Sequence, residues 1–211
     1  MNCTDYLRLY LVTDSQCCRG RDLVDVVLDA VGGGVTMVQL REKDIPTLDF
    51  INLALRLKKA LKGKNTPIII NDRVDVALAA DADGVHIGQS DMPYHMARKI
   101  LGNDKIIGLS VENLQQVEQA NHLDVDYIGI SPVFATPTKT DTATPFGLEG
   151  LRRAVELSLH PTVAIGGMNI HTVSDVMQTG TDGVAVVSAI MASDNPYEAS
   201  RELLSGVMVK W

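Results

Sequence analysis

Residues 67–89 read Pro67-Ile68-Ile69-Ile70-Asn71-Asp72-Arg73-Val74-Asp75-Val76-Ala77-Leu78-Ala79-Ala80-Asp81-Ala82-Asp83-Gly84-Val85-His86-Ile87-Gly88-Gln89. Two short apolar runs, Pro67–Ile70 and Gly84–Ile87, flank a helix-like stretch over Val74–Ala80. The runs are continuous rather than alternating, as expected of parallel strands covered on both faces. Asp83-Gly84 suits a tight turn from helix into buried strand. Together they predict a parallel strand–helix–strand unit.

The unit recurs in both directions. Further strand-like runs lie at Leu7–Val12, Thr36–Leu40, Lys105–Leu109, Tyr127–Ile130, Thr162–Ile165 and Gly183–Val187. Helix-like stretches lie at Asp22–Val31, Thr47–Lys62, Pro93–Leu101, Glu112–Asn121, Leu148–Leu157, Ile170–Thr179 and Pro196–Val207. Thr47–Lys62 shows the pattern best, with Phe50, Leu53, Ala54, Leu57 and Leu61 on one stripe. Pro93 and Pro196 sit where a helix can begin. A faint echo marks the strand entries: Gly33-Gly34-Val35, Asp83-Gly84-Val85, Asp126-Tyr127-Ile128 and Asp182-Gly183-Val184. Strand then helix, about eight times over, predicts a (β/α)8 TIM barrel, α/β in class and one domain over residues 1–211. An open doubly wound sheet shares the alternation but seldom has so many units.

Composition narrows the function. Lys and Arg total 19 against 26 Asp and Glu, a net charge of −7, which argues against a general nucleic-acid binder while allowing a local basic pocket. No apolar run approaches the ~20 residues that span a bilayer. Met1–Tyr6 carries no basic segment leading into an apolar one, so no membrane partner and a cytoplasmic location are expected. Cys3, Cys17 and Cys18 are odd in number and lack a C-x-x-C spacing, and they read as reduced, incidental thiols. A homo-oligomer is compatible with the sequence but not dictated by it.

In a barrel the residues just after each strand converge on one rim. Here they are Gln39-Leu40-Arg41-Glu42-Lys43, Asn71-Asp72-Arg73, His86 through Asp91, Ser110, the long Ser131–Phe146 connection, Gly166-Gly167-Met168-Asn169 and Val187-Ser188. Gly166-Gly167 and Val187-Ser188, each read as opening a helix, suggest an anion cradle of backbone N–H groups. Asp72 and Asp91, on neighbouring units, suggest a Mg²⁺ site for a diphosphate. Taken singly, Asp72 could instead pair with Arg73, and Asp91 could cap the helix begun at Pro93. Arg41, Lys43 and Lys139 would bring positive charge to the same anion. His86 alternates into a strand and reads as a satisfied core histidine. The Ser131–Phe146 connection, with Thr136-Pro137-Thr138-Lys139 inside it, is long enough to be either a functional loop on the catalytic rim or a floppy surface excursion.

These rim segments, in this order, resemble the thiamine phosphate synthase family over essentially the whole chain. The resemblance rests on Leu9–Asp14, Val38–Lys43, Ile70–Asp75, Asp83–Gln89 with Asp91, Gly108–Ser110, Gly129–Lys139, Ala164–Gly167 and Gly183–Ile190. It implies a barrel that joins 4-amino-2-methyl-5-pyrimidinylmethyl diphosphate to 4-methyl-5-(2-phosphooxyethyl)thiazole, giving thiamine phosphate and diphosphate. It further implies that Gln39, Leu40, Arg41, Glu42, Lys43, Asn71, Ser110 and Lys139 hold the pyrimidine diphosphate. Of these, Arg41, Lys43, Ser110 and Lys139 would serve catalysis. Asp72 and Asp91 would bind Mg²⁺, and Thr136, Pro137, Thr138, Gly167, Val187 and Ser188 would take the thiazole phosphate. Small-molecule substrates are thus the expected partners. A thiazole tautomerase is the alternative enzyme, but it typically carries a histidine where this chain has Ser131-Pro132. A non-catalytic thiazole-phosphate binder would tolerate loss of Asp72 and Asp91, and both are present.

Overall fold

The computed structural model describes residues 3–135 and 144–208. Eight parallel strands, β1 (Leu9–Val12), β2 (Met37–Leu40), β3 (Ile68–Asn71), β4 (Gly84–Ile87), β5 (Ile106–Val111), β6 (Tyr127–Ile130), β7 (Thr162–Ile165) and β8 (Gly183–Val186), close in sequence order into a barrel. The last strand pairs with the first, with Tyr10 opposite Ala185. The outer ring comprises α2 (Leu23–Gly32), α3 (Thr47–Ala60), α4 (Val74–Ala79), α5 (Tyr94–Leu101), α6 (Leu114–Ala120), α7 (Gly147–Leu157), α8 (Val173–Met177) and α10 (Pro196–Val207). All of these were expected within a few residues. Two short pieces were not: α1 (Cys3–Leu7) before the first strand and a 3₁₀ turn at Ser15–Cys18; the helix read as opening at Val187-Ser188 is a separate short one, α9 (Ser188–Met191), ahead of α10.

Strand alternation sorts the core into two layers. Val38, Leu40, Ile68, Ile70, Val85 and Ile87 point outward and pack under the helices. Tyr10, Val12, Met37, Ile69, Tyr127, Val163 and Ala185 point inward and fill the barrel. Inward side chains at the C-terminal ends of the strands therefore close the barrel from above, and they form the floor of whatever sits on that rim.

The echo at the strand entries has a structural cause on the opposite face. The carboxylates of Asp83, Asp126 and Asp182 accept the backbone N–H of Ile68, Ile107 and Thr162 in the preceding strand, each at 2.8 Å. Their own N–H groups donate to the carbonyl oxygens of those same residues. Thr36 does the same for Leu9 through its hydroxyl. A short acceptor at this position satisfies an N–H at the start of a strand, which would otherwise be orphaned at the barrel's lower end.

Candidate functional site

The C-terminal rim holds a cavity of about 910 Å³, with contributions from every strand end. Gln39, Arg41, Lys43, Asn71, Asp72, Asp91 and Ser110 line one side; Gly166, Gly167, Met168, Asn169, Val187 and Ser188 line the other. The first group is polar and charged, the second largely backbone and small side chains.

Asp72 follows β3 in the left-handed region, with φ of 60°, a conformation favoured by glycine and reached by Asp at some cost. Its N–H still bonds the carbonyl of His86 at 2.8 Å, so the ladder with β4 is kept while the side chain turns to the cavity. Asp91 is fixed by the N–H of Gly88, which donates to its Oδ2 at 2.7 Å. The two carboxyl groups meet. Burial first, and then the hydrogen bond and charge of Asp91, push the Asp72 carboxyl up to about 6, while Asn71 and the Lys43 ammonium pull it back. Arg73 pairs with Asp75 rather than with Asp72, and α5 starts without a side-chain cap. The two local alternatives for these aspartates are therefore not realised.

A buried carboxyl set against a second carboxylate is an arrangement that a cation between them stabilises. Among the described residues no cluster of three or more His, Cys, Asp or Glu could enclose a metal. Two carboxylates with open positions suit Mg²⁺, which keeps waters and takes substrate phosphate oxygens, better than a closed zinc site. The donor set thus fits the expected ion.

Beneath the carboxylates a hydrogen-bonded chain crosses the barrel interior. Gln39 Nε2 donates to Tyr10 Oη at 2.9 Å, and Tyr10 Oη lies 2.9 Å from Tyr127 Oη. Tyr127 Oη lies 2.9 Å from His86 Nδ1, and His86 Nε2 lies 2.8 Å from Ser110 Oγ. His86 is thus buried and bonded at both nitrogens, as a core histidine should be, yet it also borders the cavity. Burial drives its pKa down to about 4, against a small opposing effect of Asp91, so the ring is neutral at pH 7.

Chain similarity places this geometry among known proteins. The profile described as "Thiamine monophosphate synthase" matches residues 9–190. The chain belongs to the thiamine monophosphate synthase family. It is 53% identical over 204 residues to the thiamine-phosphate synthase of Albidiferax ferrireducens, covering 95% of this chain and 93% of that one. It is 52% identical over 200 residues to that of Vibrio campbellii, covering 93% and 96%. The solved thiamine phosphate pyrophosphorylase of Pyrococcus furiosus superposes with a TM-score of 0.91 at 38% identity, covering 99% of this chain and 98% of that one. A 3-hexulose-6-phosphate synthase shares the barrel at a TM-score of 0.72 but only 16% identity, which speaks for fold alone.

Within this member of the family, the residues expected on the rim are distributed unevenly. Gln39, Arg41, Lys43, Asn71, Asp72, Asp91, Ser110, Gly167, Val187 and Ser188 all border the one cavity. Leu40 does not. It is wholly buried and points outward into the layer under the helices, as alternation after the inward Gln39 requires. Glu42 turns to the β1 loop, where it accepts from the Thr13 hydroxyl at 3.5 Å and bonds Ser15, and burial raises its pKa. Thr13 in turn accepts the N–H of Arg41 at 2.9 Å. Glu42 thereby helps hold the Arg41 backbone without touching the cavity. Thr136, Pro137, Thr138 and Lys139 lie outside the described residues.

Gly166-Gly167 does not open a helix directly; α8 begins only at Val173. Both glycines have positive φ, 105° and 73°, and a Cβ at either would stand 2.8–2.9 Å from Pro132 or Phe134. They let the first residues of the β6 connection lie against the end of β7, where Val133 and Phe134 donate to Ile165 and Gly166. The far end of that connection returns to the same place, with Phe146 N–H on Pro132 and Gly147 N–H on Val133. Gln89, Ser90, Met168 and Asn169, expected on the rim without a role of their own, border the cavity as well, and so do Glu112 and Ala189, which no motif marks. Cys17 and Cys18 are free thiols that burial pushes up in pKa, which makes them poor nucleophiles.

Proposed function

We propose that the chain is a thiamine-phosphate synthase, joining 4-amino-2-methyl-5-pyrimidinylmethyl diphosphate to 4-methyl-5-(2-phosphooxyethyl)thiazole with release of diphosphate. The observation that carries this reading is the paired Asp72 and Asp91 carboxylates bordering one cavity with Arg41 and Lys43, in a chain about half identical to named synthases.

Asp72 and Asp91 would hold Mg²⁺. When bound, that ion supplies positive charge to the departing diphosphate. Arg41 and Lys43 neutralise the same group from β2, and Lys139 is assigned to it by family resemblance. Gln39, Asn71 and Ser110 orient the pyrimidine. Gly167, Val187 and Ser188, with Thr136, Pro137 and Thr138, take the thiazole phosphate. The described part of that set offers backbone at two tight turns, a surface that an anion can approach closely.

The substitution is dissociative: the C–O bond to diphosphate breaks first, and the thiazole nitrogen captures the pyrimidinylmethyl cation. Such a step needs no strong base in the cavity. A neutral His86, committed to Tyr127 and Ser110, agrees with that. The chemistry needs a dry, positively lined pocket for the leaving group.

A ³¹P NMR time course with both substrates and Mg²⁺ tests the assignment. A diphosphate signal growing in step with thiamine phosphate supports it. Interconversion of thiazole carboxylate isomers without diphosphate release would instead make the chain a tautomerase.

A further inference from the structure

Tyr127 is fully buried in the floor of the barrel and does not border the cavity, yet it is the centre of the chain that joins two cavity residues, Gln39 and Ser110. The barrel makes unusual room for it. A Cβ at Gly108 would stand 2.1 Å from Tyr127 Cζ and 2.5 Å from His86 Nδ1, and one at Gly129 would stand 3.1 Å from His86 Cε1. Two inward positions on adjacent strands are thus empty of side chain where the Tyr127 phenol meets the His86 imidazole. Ordinary barrel packing would place branched aliphatic side chains there.

The chain has a direction. Gln39 Nε2 is an amide nitrogen, which only donates, so Tyr10 Oη accepts at that end. A hydroxyl that accepts from one side can pass its own proton to the next, from Tyr10 to Tyr127 and from Tyr127 to His86. A neutral imidazole has one donating and one accepting nitrogen. If Nδ1 accepts from Tyr127, Nε2 carries the proton and donates to Ser110.

We propose that Tyr127 is a positioning residue: by donating to His86 Nδ1 it fixes the Nε2–H tautomer, so that Ser110 accepts from His86 and turns its own hydroxyl proton to the substrate. At the other end the same direction leaves the Gln39 carbonyl oxygen for the cavity. The site then offers an acceptor at Gln39 and a donor at Ser110. That pattern complements a ligand with an amino group on one side and a ring nitrogen or diphosphate oxygen on the other. This deepens the reading of the cavity as the pyrimidine diphosphate site and rests on it.

Two measurements test the proposal, and the first needs no substrate. Long-range ¹H–¹⁵N correlation spectra of the wild-type protein with ¹⁵N-labelled histidine report the tautomer of His86, assigned by its loss in His86→Gln. The expected result at pH 7 is the Nε2–H form, giving way to a mixed or Nδ1–H form in Tyr127→Phe. A wild-type Nδ1–H form would overturn the proposal whatever the enzyme's activity. The second measurement is a kinetic cycle over Tyr127→Phe, Ser110→Ala and the double variant. Tyr127→Phe is expected to lower kcat/KM for the pyrimidine diphosphate about tenfold, as for a lost oriented hydrogen bond, with KM for the thiazole phosphate unchanged. In the Ser110→Ala background the same change should cost less than about twofold. Losses that multiply would show that Tyr127 acts by general packing and would overturn it. A wild-type chain that shows the Nε2–H tautomer but makes no thiamine phosphate would count against the proposed function and leave the tautomer arm in support.

Discussion

The Tyr127 hydroxyl lies 2.9 Å from His86 Nδ1 across the interior of the barrel, joining β6 to β4 over the gap left by Gly108 on the strand between them. Neutrality of the imidazole is a condition of Tyr127 donating in that contact, and stability should report the neutral ring. The folded protein holds His86 near a pKa of about 4, below the ordinary value of 6.5. Between those values the unfolded chain binds the proton and the folded one does not. Stability therefore falls as pH drops below about 6.5, and the loss is complete near pH 4. The shift corresponds to about 3 kcal/mol. Urea unfolding at pH 7, 5.5 and 4.5 should show this slope in the wild type and a flatter one in His86→Gln. Parallel profiles would mean that the imidazole is not held neutral.

Gly108 gives a sharper structural test. An alanine methyl there would overlap the Tyr127 ring, and two paired strands leave little room to relax. Overpacking of this kind costs about 3 kcal/mol. Gly108→Ala should lower the urea midpoint markedly and disturb the tyrosine near-UV signal. An unchanged midpoint would show that the phenol is free to move.

The carboxylate pair predicts opposite effects on stability and metal response. Asp72→Asn removes one of two facing charges, so the metal-free variant should be more stable than wild type by about 1 kcal/mol. Mg²⁺ at about ten times its dissociation constant should stabilise the wild type by roughly 1.4 kcal/mol, a rise in Tm of about 3–6 °C. The variant should not respond. Thermal unfolding with Mg²⁺ and with EDTA would decide this, and an equal rise in both proteins would place the ion elsewhere.

The lower face should separate folding from function. Asp126 accepts from Ile107 N–H at 2.8 Å and from Arg98 at 2.9 Å, far from the cavity. Asp126→Ala leaves the Ile107 N–H without its acceptor and takes the charged partner from a largely buried guanidinium that keeps only neutral ones, among them the carbonyls of Gly102 and Lys105, at a cost of about 2 kcal/mol. Its kcat and KM should match the wild type at a temperature where both are folded. A change in kinetics alone would contradict the division of labour between the two faces.

Much of this architecture is legible in the residue pattern. Continuous apolar runs mark the strands because both faces are covered, and the amphipathic stretches between them mark the outer helices. What the pattern misses has definite causes. The turn at Ser15–Cys18 is four residues long, too short to show a period, and so is the helix that opens at Ser188, whose end before α10 leaves no mark in the pattern. Leu40 sits inside a motif whose Gln39, Arg41 and Lys43 border the cavity, and strand alternation alone turns it outward. Glu42 lies two residues past the strand, where the backbone direction depends on the Thr13 contact. Tyr127 resembles any buried strand aromatic in sequence, because the histidine it meets is brought to it only by closure of the barrel. Asp72 and Asp91 were legible as a pair, but their mutual contact depends on the left-handed turn at Asp72.

The most direct measurement is an end-point assay of the purified protein with both substrates, scored for thiamine phosphate and diphosphate, with Mg²⁺ and with EDTA. The account predicts equal amounts of the two products with Mg²⁺ and none with EDTA. Retained binding of the thiazole phosphate with no product under either condition would contradict it.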